Sequence, residues 1–284
     1  MRILLTGVRG QVGAALARTL APLGELAAHD RSTIDLLDLP SVEAAVARAR
    51  PDIVVNAAAY TAVDRAEREP ELAFKVNAEA VGALAHAAKS IGALFVHFST
   101  DYVFDGEKTQ PYVETDAPHP LGVYGRSKLA GERAIAASGC RHYIFRTSWV
   151  YSRAGRNFVH AILAAAKSKP ALRVVNDQRG APTSAEAIAG AVAAVLADTR
   201  GRGGPDGIYH LTAAGETTWY EFAREILQDA APEVRLVPVT TAEYGAAAPR
   251  PRNSLLDNAK LLETFGIALE DWRHAFRAAK QSMH

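Results

Sequence analysis

Tyrosine and lysine stand four residues apart in Tyr124-Gly-Arg-Ser-Lys128. On a helix that spacing is one turn, so both side chains share a face. An ammonium held beside a phenol favours the phenolate. The Tyr124 pKa is therefore expected to fall from about 10 towards working pH. Such a tyrosine can give or take the proton when a carbonyl and an alcohol interconvert. By composition alone a Tyr-x-x-x-Lys pair occurs in about half of chains this long, so what surrounds it must decide.

A proton donor of that kind needs an electron source, and the start of the chain has the form of a site for one. Arg2 to Thr6 reads as a short buried strand, and Ala14 to Leu20 has helical periodicity. Between them lies Gly7-Val-Arg-Gly10-Gln-Val-Gly13. Strand, glycine turn and helix is the context in which glycines cradle a pyrophosphate on a helix N-terminus. Gly7 makes the turn, Gly10 lets the phosphates approach the backbone, and Gly13 lets helix and strand pack closely. The spacing has two residues between the first two glycines, where the usual dinucleotide pattern has one. A second strand, Glu25 to His29, ends at Asp30, near where a carboxylate takes ribose hydroxyls. Arg31 and Arg9 suit a 2′-phosphate instead, so NADH and NADPH both stay open.

Further along, Asp52 to Asn56 is a third strand leaving through Ala57, Ala58 and Ala59, small residues that leave room for a cofactor against backbone. Glu71 to Ile91 reads as one long helix, with Asn77 on its exposed side. A fourth strand from Ala93 delivers Ser99 and Thr100 at its carboxyl end, where open parallel sheets bind ligands. Asp101 to His119 is a polar, proline-punctuated loop over the site. The Tyr124 helix and a fifth strand, Arg141 to Ser148, follow. Alternating strands and helices predict an α/β fold with a doubly wound parallel sheet. The second half holds a helix over 183–198, a turn cluster from Arg200 to Gly207 ahead of a strand at 208–211, and another helix over 217–230. Residues 1–148 and 172–210 are expected to form the dinucleotide-binding body, and 149–171 with 211–284 a smaller α/β substrate domain.

Bulk properties narrow the class. Lys and Arg total 32 against 31 Asp and Glu, which gives no electrostatic footprint for nucleic acid or a membrane surface. Cys140 is the one cysteine, so a reducing, cytoplasmic setting is expected. No apolar run is long enough to span a bilayer.

In full, the motif set resembles the extended short-chain dehydrogenase/reductases and, among them, the dTDP-4-dehydrorhamnose reductase family. The markers are the glycine turn, Val55-Asn-Ala-Ala-Ala-Tyr-Thr-Ala-Val-Asp64, Ser99-Thr-Asp-Tyr-Val-Phe104, Arg146-Thr-Ser-Trp-Val-Tyr151 and Val175-Asn-Asp-Gln-Arg-Gly-Ala-Pro-Thr183. The resemblance covers the whole chain. It implies a Rossmann-type fold, NADPH or NADH as cofactor and a dTDP-sugar substrate. Tyr124 would donate the proton, Lys128 would lower its pKa and hold the nicotinamide ribose, and Thr100 would bond the substrate carbonyl. Gln11, Val12, Asp30, Asp38, Leu39 and Ala57 to Ala59 would line the cofactor. Asp101, Trp149, Asn157 and Gln178 would face the sugar nucleotide, and Arg250 or Arg252 its diphosphate.

One departure concerns assembly. Some family members dimerise through magnesium held by a glutamate on the first helix, and here Gln11 to Leu20 carries no acid. Glu186 alone reads as a solvated helix residue, so a monomer or weak homodimer without metal is expected. Among rivals, a dehydratase would carry Asp-Glu after the threonine, whereas Asp101 precedes Tyr102. A ketoreductase for another sugar, an epimerase and a non-catalytic regulatory subunit are the remaining alternatives.

Overall fold

The computed structural model describes residues 1–153, 155–199 and 204–281. Residues 200–203 of the expected turn cluster lie outside them. Six parallel strands form the central sheet. In spatial order they are Gly207–His210, His142–Thr147, Leu94–Thr100, Ile53–Asn56, Arg2–Thr6 and Glu25–His29. The inner strands are continuous apolar runs because both faces are covered. Ile3, Leu5, Ile53, Val55 and Val96 pack on one side against the Gln11–Leu20 and Ala185–Thr199 helices. Leu4, Val54 and Phe95 alternate to the other side, against the Leu39–Ala49 and Ala80–Ile91 helices. The sheet is thus doubly wound, as expected.

Arg2–Thr6 pairs with Glu25–His29 on one flank and Ile53–Asn56 on the other. The strand order therefore reverses there, and a crevice opens beyond the carboxyl ends of these strands. Gly7 leaves one of them and Ala57 the other.

A second apolar cluster lies apart from the sheet. Tyr151, Ile162, Phe222, Trp272 and Phe276 fill it. The helices Phe158–Ala166, Trp219–Ala230 and Trp272–Gln281 and a parallel pair, Ala171–Val175 with Arg235–Val239, supply it. Burying a side chain the size of Phe222 contributes about 1.5–3 kcal/mol, and several such rings hold this body together. Leu172 and Val174 belong to it by packing. Residues 172–175, expected in the larger body, therefore sit with the smaller one. Strand pairing with 235–239 decides this, and such a partner cannot be read from a short apolar run.

The expected helix over 71–91 is not regular. Helix Pro70–Phe74 passes through a π-helical turn, Lys75–Glu79, into Ala80–Ile91. The wide turn carries Asn77 inward, where it is fully buried rather than exposed. Its amide accepts from Tyr60 N (2.8 Å) and donates to Tyr60 O (3.0 Å) and Ser127 Oγ (3.0 Å). Ser127 Oγ in turn donates to Tyr124 O at 2.8 Å. Asn77 thus ties the crevice wall to the helix that carries Tyr124 and Lys128.

Candidate active site

The crevice is a cavity of about 710 Å³. Gly7, Gly10, Gln11, Val12, Asp30, Arg31, Ala57, Ala58, Ala59, Ser99, Tyr124 and Lys128 all line it. These twelve residues, each expected at a cofactor from the sequence, come together from five segments. Gly13 lies beneath the turn. A Cβ there would run into Gly7 O, and a Cβ on Gly7 would sit 2.5 Å from Ala58 N. Gly7 also has φ of +77°. Only glycine permits this approach of turn, helix and neighbouring strand.

Two expected cofactor residues fall elsewhere. Asp38 caps the Leu39–Ala49 helix by accepting from Ser41 N at 3.2 Å, and Leu39 packs on the sheet core. Asp35, Leu36 and Leu37 line the cavity in their place. An aspartate followed by proline and serine reads locally as a cap, and that local role wins. Among residues not anticipated, Thr147 and Arg156 also line the cavity. Thr147 could have been found, because it ends the strand paired beside Thr100.

At the cavity floor, Tyr124 and Lys128 do share a face of helix Val123–Ser138, but the lysine does not point its charge at the phenol. Lys128 Nζ lies 2.6 Å from Phe98 O and 2.9 Å from His97 Nε2. The expected fall in the Tyr124 pKa is not found. Burial pushes the phenol up to about 12, opposed by the Thr100 hydroxyl and reinforced by the Asp101 charge. Burial also lowers Lys128 to about 7, with Glu132 opposing. Desolvation disfavours whichever form is charged, and it outweighs a neighbour one turn away. The Thr100 hydroxyl donates to Asp101 Oδ1 at 2.9 Å, and Tyr102 N donates to Thr100 Oγ1 at 3.2 Å. Asp101 is itself buried, and its carboxyl is raised to about 6 by that burial.

The remaining expected substrate residues form two separate groups. Trp149 stacks on Trp219 with ring centroids 3.6 Å apart, and Trp219 Nε1 donates to Gln178 Oε1 at 3.1 Å. Gln178 thus meets Trp149 through a third residue. Asn157 caps helix Phe158–Ala166 and donates to Gln11 Oε1 at 2.9 Å, which brings the smaller body to the glycine turn. Arg250 is taken up by Asp64 at 2.8 Å. Glu186 is not simply solvated, since Arg18 of the first helix pairs with it at 3.4 Å.

The cavity suits a dinucleotide in three respects. Glycines bare the backbone at a helix N-terminus, an acid and two arginines stand at the far rim, and two hydroxyls at the strand ends lack partners. Ser99 Oγ and Thr147 Oγ1 are buried with no hydrogen bond, as is Asp101 Oδ2 nearby. Buried polar atoms of this kind call for a polar ligand. Among the described residues no helix is long and apolar enough to cross a membrane.

Comparison with known proteins agrees with this geometry. The profile of the family described as RmlD substrate binding domain matches residues 1–284. A dTDP-4-dehydrorhamnose reductase of Burkholderia thailandensis is 48% identical, with 97% of this chain and 96% of the relative covered. A crystal structure of a dTDP-4-dehydrorhamnose reductase from Clostridium acetobutylicum superposes with a TM-score of 0.94 at 37% identity, covering 100% of this chain and 99% of that one. That of the Bacillus anthracis enzyme in complex with NADP gives 0.91 at 34% identity, covering 99% of each. With a full-length profile match and such relatives, the chain belongs to the RmlD substrate binding domain family of dTDP-4-dehydrorhamnose reductases.

Proposed function

We propose that the protein reduces dTDP-4-dehydro-β-L-rhamnose to dTDP-β-L-rhamnose with NADPH or NADH. The observation that carries this reading is the meeting of Tyr124, Lys128 and Ser99 in the cavity that opens at the Gly7 turn. The names of the full-length relatives supply the substrate.

A reduced nicotinamide, when bound, supplies the hydride. Gly7, Gly10, Gln11 and Val12 hold the pyrophosphate with main-chain donors. Asp30 and Arg31 hold the adenosine ribose, and Ala57 to Ala59 give the flat wall. Lys128 holds the nicotinamide ribose. Tyr124 keeps its proton until negative charge grows on the C4 oxygen, then transfers it from its phenol oxygen. Thr100 steadies the same oxygen through its hydroxyl, and Asp101 keeps that hydroxyl aimed. Trp149, Asn157 and Gln178 face the sugar nucleotide. Residues 149–175 and 211–284 form the substrate domain, and the rest of the chain the dinucleotide domain. The protein acts in the cytoplasm as a monomer or weak homodimer.

NADPH oxidation with enzymatically made dTDP-4-dehydro-L-rhamnose, run beside its UDP counterpart, tests the reading. Sugar-dependent loss of reduced cofactor, stronger with the dTDP form, is expected. No net oxidation with any 4-keto sugar would overturn it.

A further inference from the structure

Behind the reacting pair lies a buried chain of side chains to which the proposed chemistry gives no part. Asn56, His97 and Lys128 are all essentially inaccessible. Asn56 Oδ1 accepts from the main-chain N–H of Ala58 at 3.1 Å and from Thr6 Oγ1 at 2.7 Å. The Ala58 N–H can only donate, so it fixes which end of the amide is oxygen. The NH₂ end then faces His97 Nδ1 at 3.2 Å. A neutral imidazole has one N–H and one lone pair. With Nδ1 accepting from the amide, the ring proton sits on Nε2, which faces Lys128 Nζ at 2.9 Å. A ring N–H there needs an acceptor, and an ammonium is not one. The bonds close only if Nζ is an uncharged amine. It accepts from His97, donates to Phe98 O and keeps one N–H for the cavity.

We propose that His97, held by Asn56, is a positioning residue that keeps Lys128 as a neutral amine, so that Tyr124 meets the substrate with its proton in place. Charging Lys128 would force the ring proton onto Nδ1, where it would oppose the Asn56 NH₂. Other groups around the pair do not upset this arrangement. Tyr124 lies one turn before Lys128 and Glu132 one turn after. The Glu132 carboxylate is taken up by Arg146 at 2.6 Å and 2.9 Å. Phe95 stacks over the His97 ring. The Asn56 main-chain carbonyl also favours a ring proton, but it forms no hydrogen bond to the ring. Burial and the lysine together keep His97 well below the usual histidine range, hence neutral.

The catalytic consequence rests on the reading of Tyr124 and Lys128 as the reacting pair; the proton assignment does not. Nitrogen-15 NMR of the histidine-labelled full chain at neutral pH tests it without substrate. The His97→Phe variant, which keeps the ring over Phe95, identifies the signals. The expected result is a protonated Nε2 and a bare Nδ1. A proton on Nδ1, or on both nitrogens, overturns the proposal even if reductase activity is found. Asn56→Asp keeps an acceptor for Ala58 and Thr6 but accepts from Nδ1, releasing Lys128 to become charged. The Tyr124 phenol should then titrate about 1–3 pH units lower, in phenolate absorbance and in the basic limb of kcat/KM. An unmoved limb in a folded variant overturns the role, and should that variant fail to fold, the wild-type spectrum alone decides.

Discussion

Arg9 and Asp30 close on each other at the cavity rim, guanidinium Nε to carboxylate Oδ2 at 2.5 Å. One suits a 2′-phosphate and the other a ribose hydroxyl, and each occupies the other. Asp30 also accepts from Ser32 N and Oγ, and these bonds, with Arg9, hold its carboxyl below the usual range. Asp30→Ala is therefore expected to free Arg9 and raise the NADPH-to-NADH ratio of kcat/KM by about tenfold. Arg9→Ala should move the ratio the other way. Equal ratios in both variants would remove the pair from cofactor choice.

Tyr124→Phe keeps the ring edge that meets Tyr102, with centroids 5.7 Å apart, and deletes the proton. Turnover should fall about 10²–10⁴-fold with little change in melting temperature. Single-turnover oxidation of bound NADPH measures the chemical step directly. A near-normal rate would place the proton donor elsewhere.

The glycine turn, the strand ends and the Tyr-Lys pair are legible in the sequence because each is a local pattern in a strand–helix context. Asn77 is not, because a regular 3.6-residue period hides the π-helical turn that swings it inward. Asp38 and Asp35 are easily confused because the loop after the second strand has no period to fix its depth. The direction of the Tyr124 pKa escapes the sequence for a different reason. Spacing shows that a lysine is near but not that it faces His97, which is 31 residues away. Burial of the phenol is likewise a property of the packed crevice and not of the motif.

Burial has a cost at Asp101 that can be read as a pH dependence. Its carboxyl rises from 3.8 to about 6, chiefly through desolvation, with Ser254 and Thr100 opposing. Between about pH 4 and 6 the folded chain keeps a proton that the unfolded chain has lost, so stability falls as pH rises through that window. Asp101→Asn cannot ionise. It should gain about 2–3 kcal/mol at pH 8 and nothing at pH 4, while losing turnover. Denaturant unfolding at the two pH values checks this, and a gain equal at both would refute the assignment.

Glu132 and Arg146 form a bidentate pair with both side chains almost fully buried, 3% and 1% exposed. Arg146 also lies over the Phe104 ring at 5.1 Å. Glu132→Gln leaves an uncompensated buried guanidinium and should cost about 3–5 kcal/mol. Adding Arg146→Met should recover part of that loss, because two charges then leave the interior together. A double variant no more stable than the single one would show that the arginine acts through packing alone.

Gly180 is the contact through which the sugar side of the site can be probed without touching the reacting groups. A Cβ there would overlap Trp149 Cε2 and come within 2.6 Å of Cζ2. The Trp149 ring cannot retreat, since Trp219 stacks on it at 3.6 Å and its backbone is already at a φ of 48°. Gly180→Ala must therefore tilt the indole or part the short pairing of Arg179–Gly180 with Thr217–Thr218. Overpacking of this kind costs about 1–3 kcal/mol. If Trp149 faces the sugar nucleotide, KM for that substrate should rise several-fold, on the scale of a shifted pocket wall, while KM for NADPH stays constant. A change in the cofactor KM instead would assign the tryptophan pair to the dinucleotide side and take Trp149 away from the sugar.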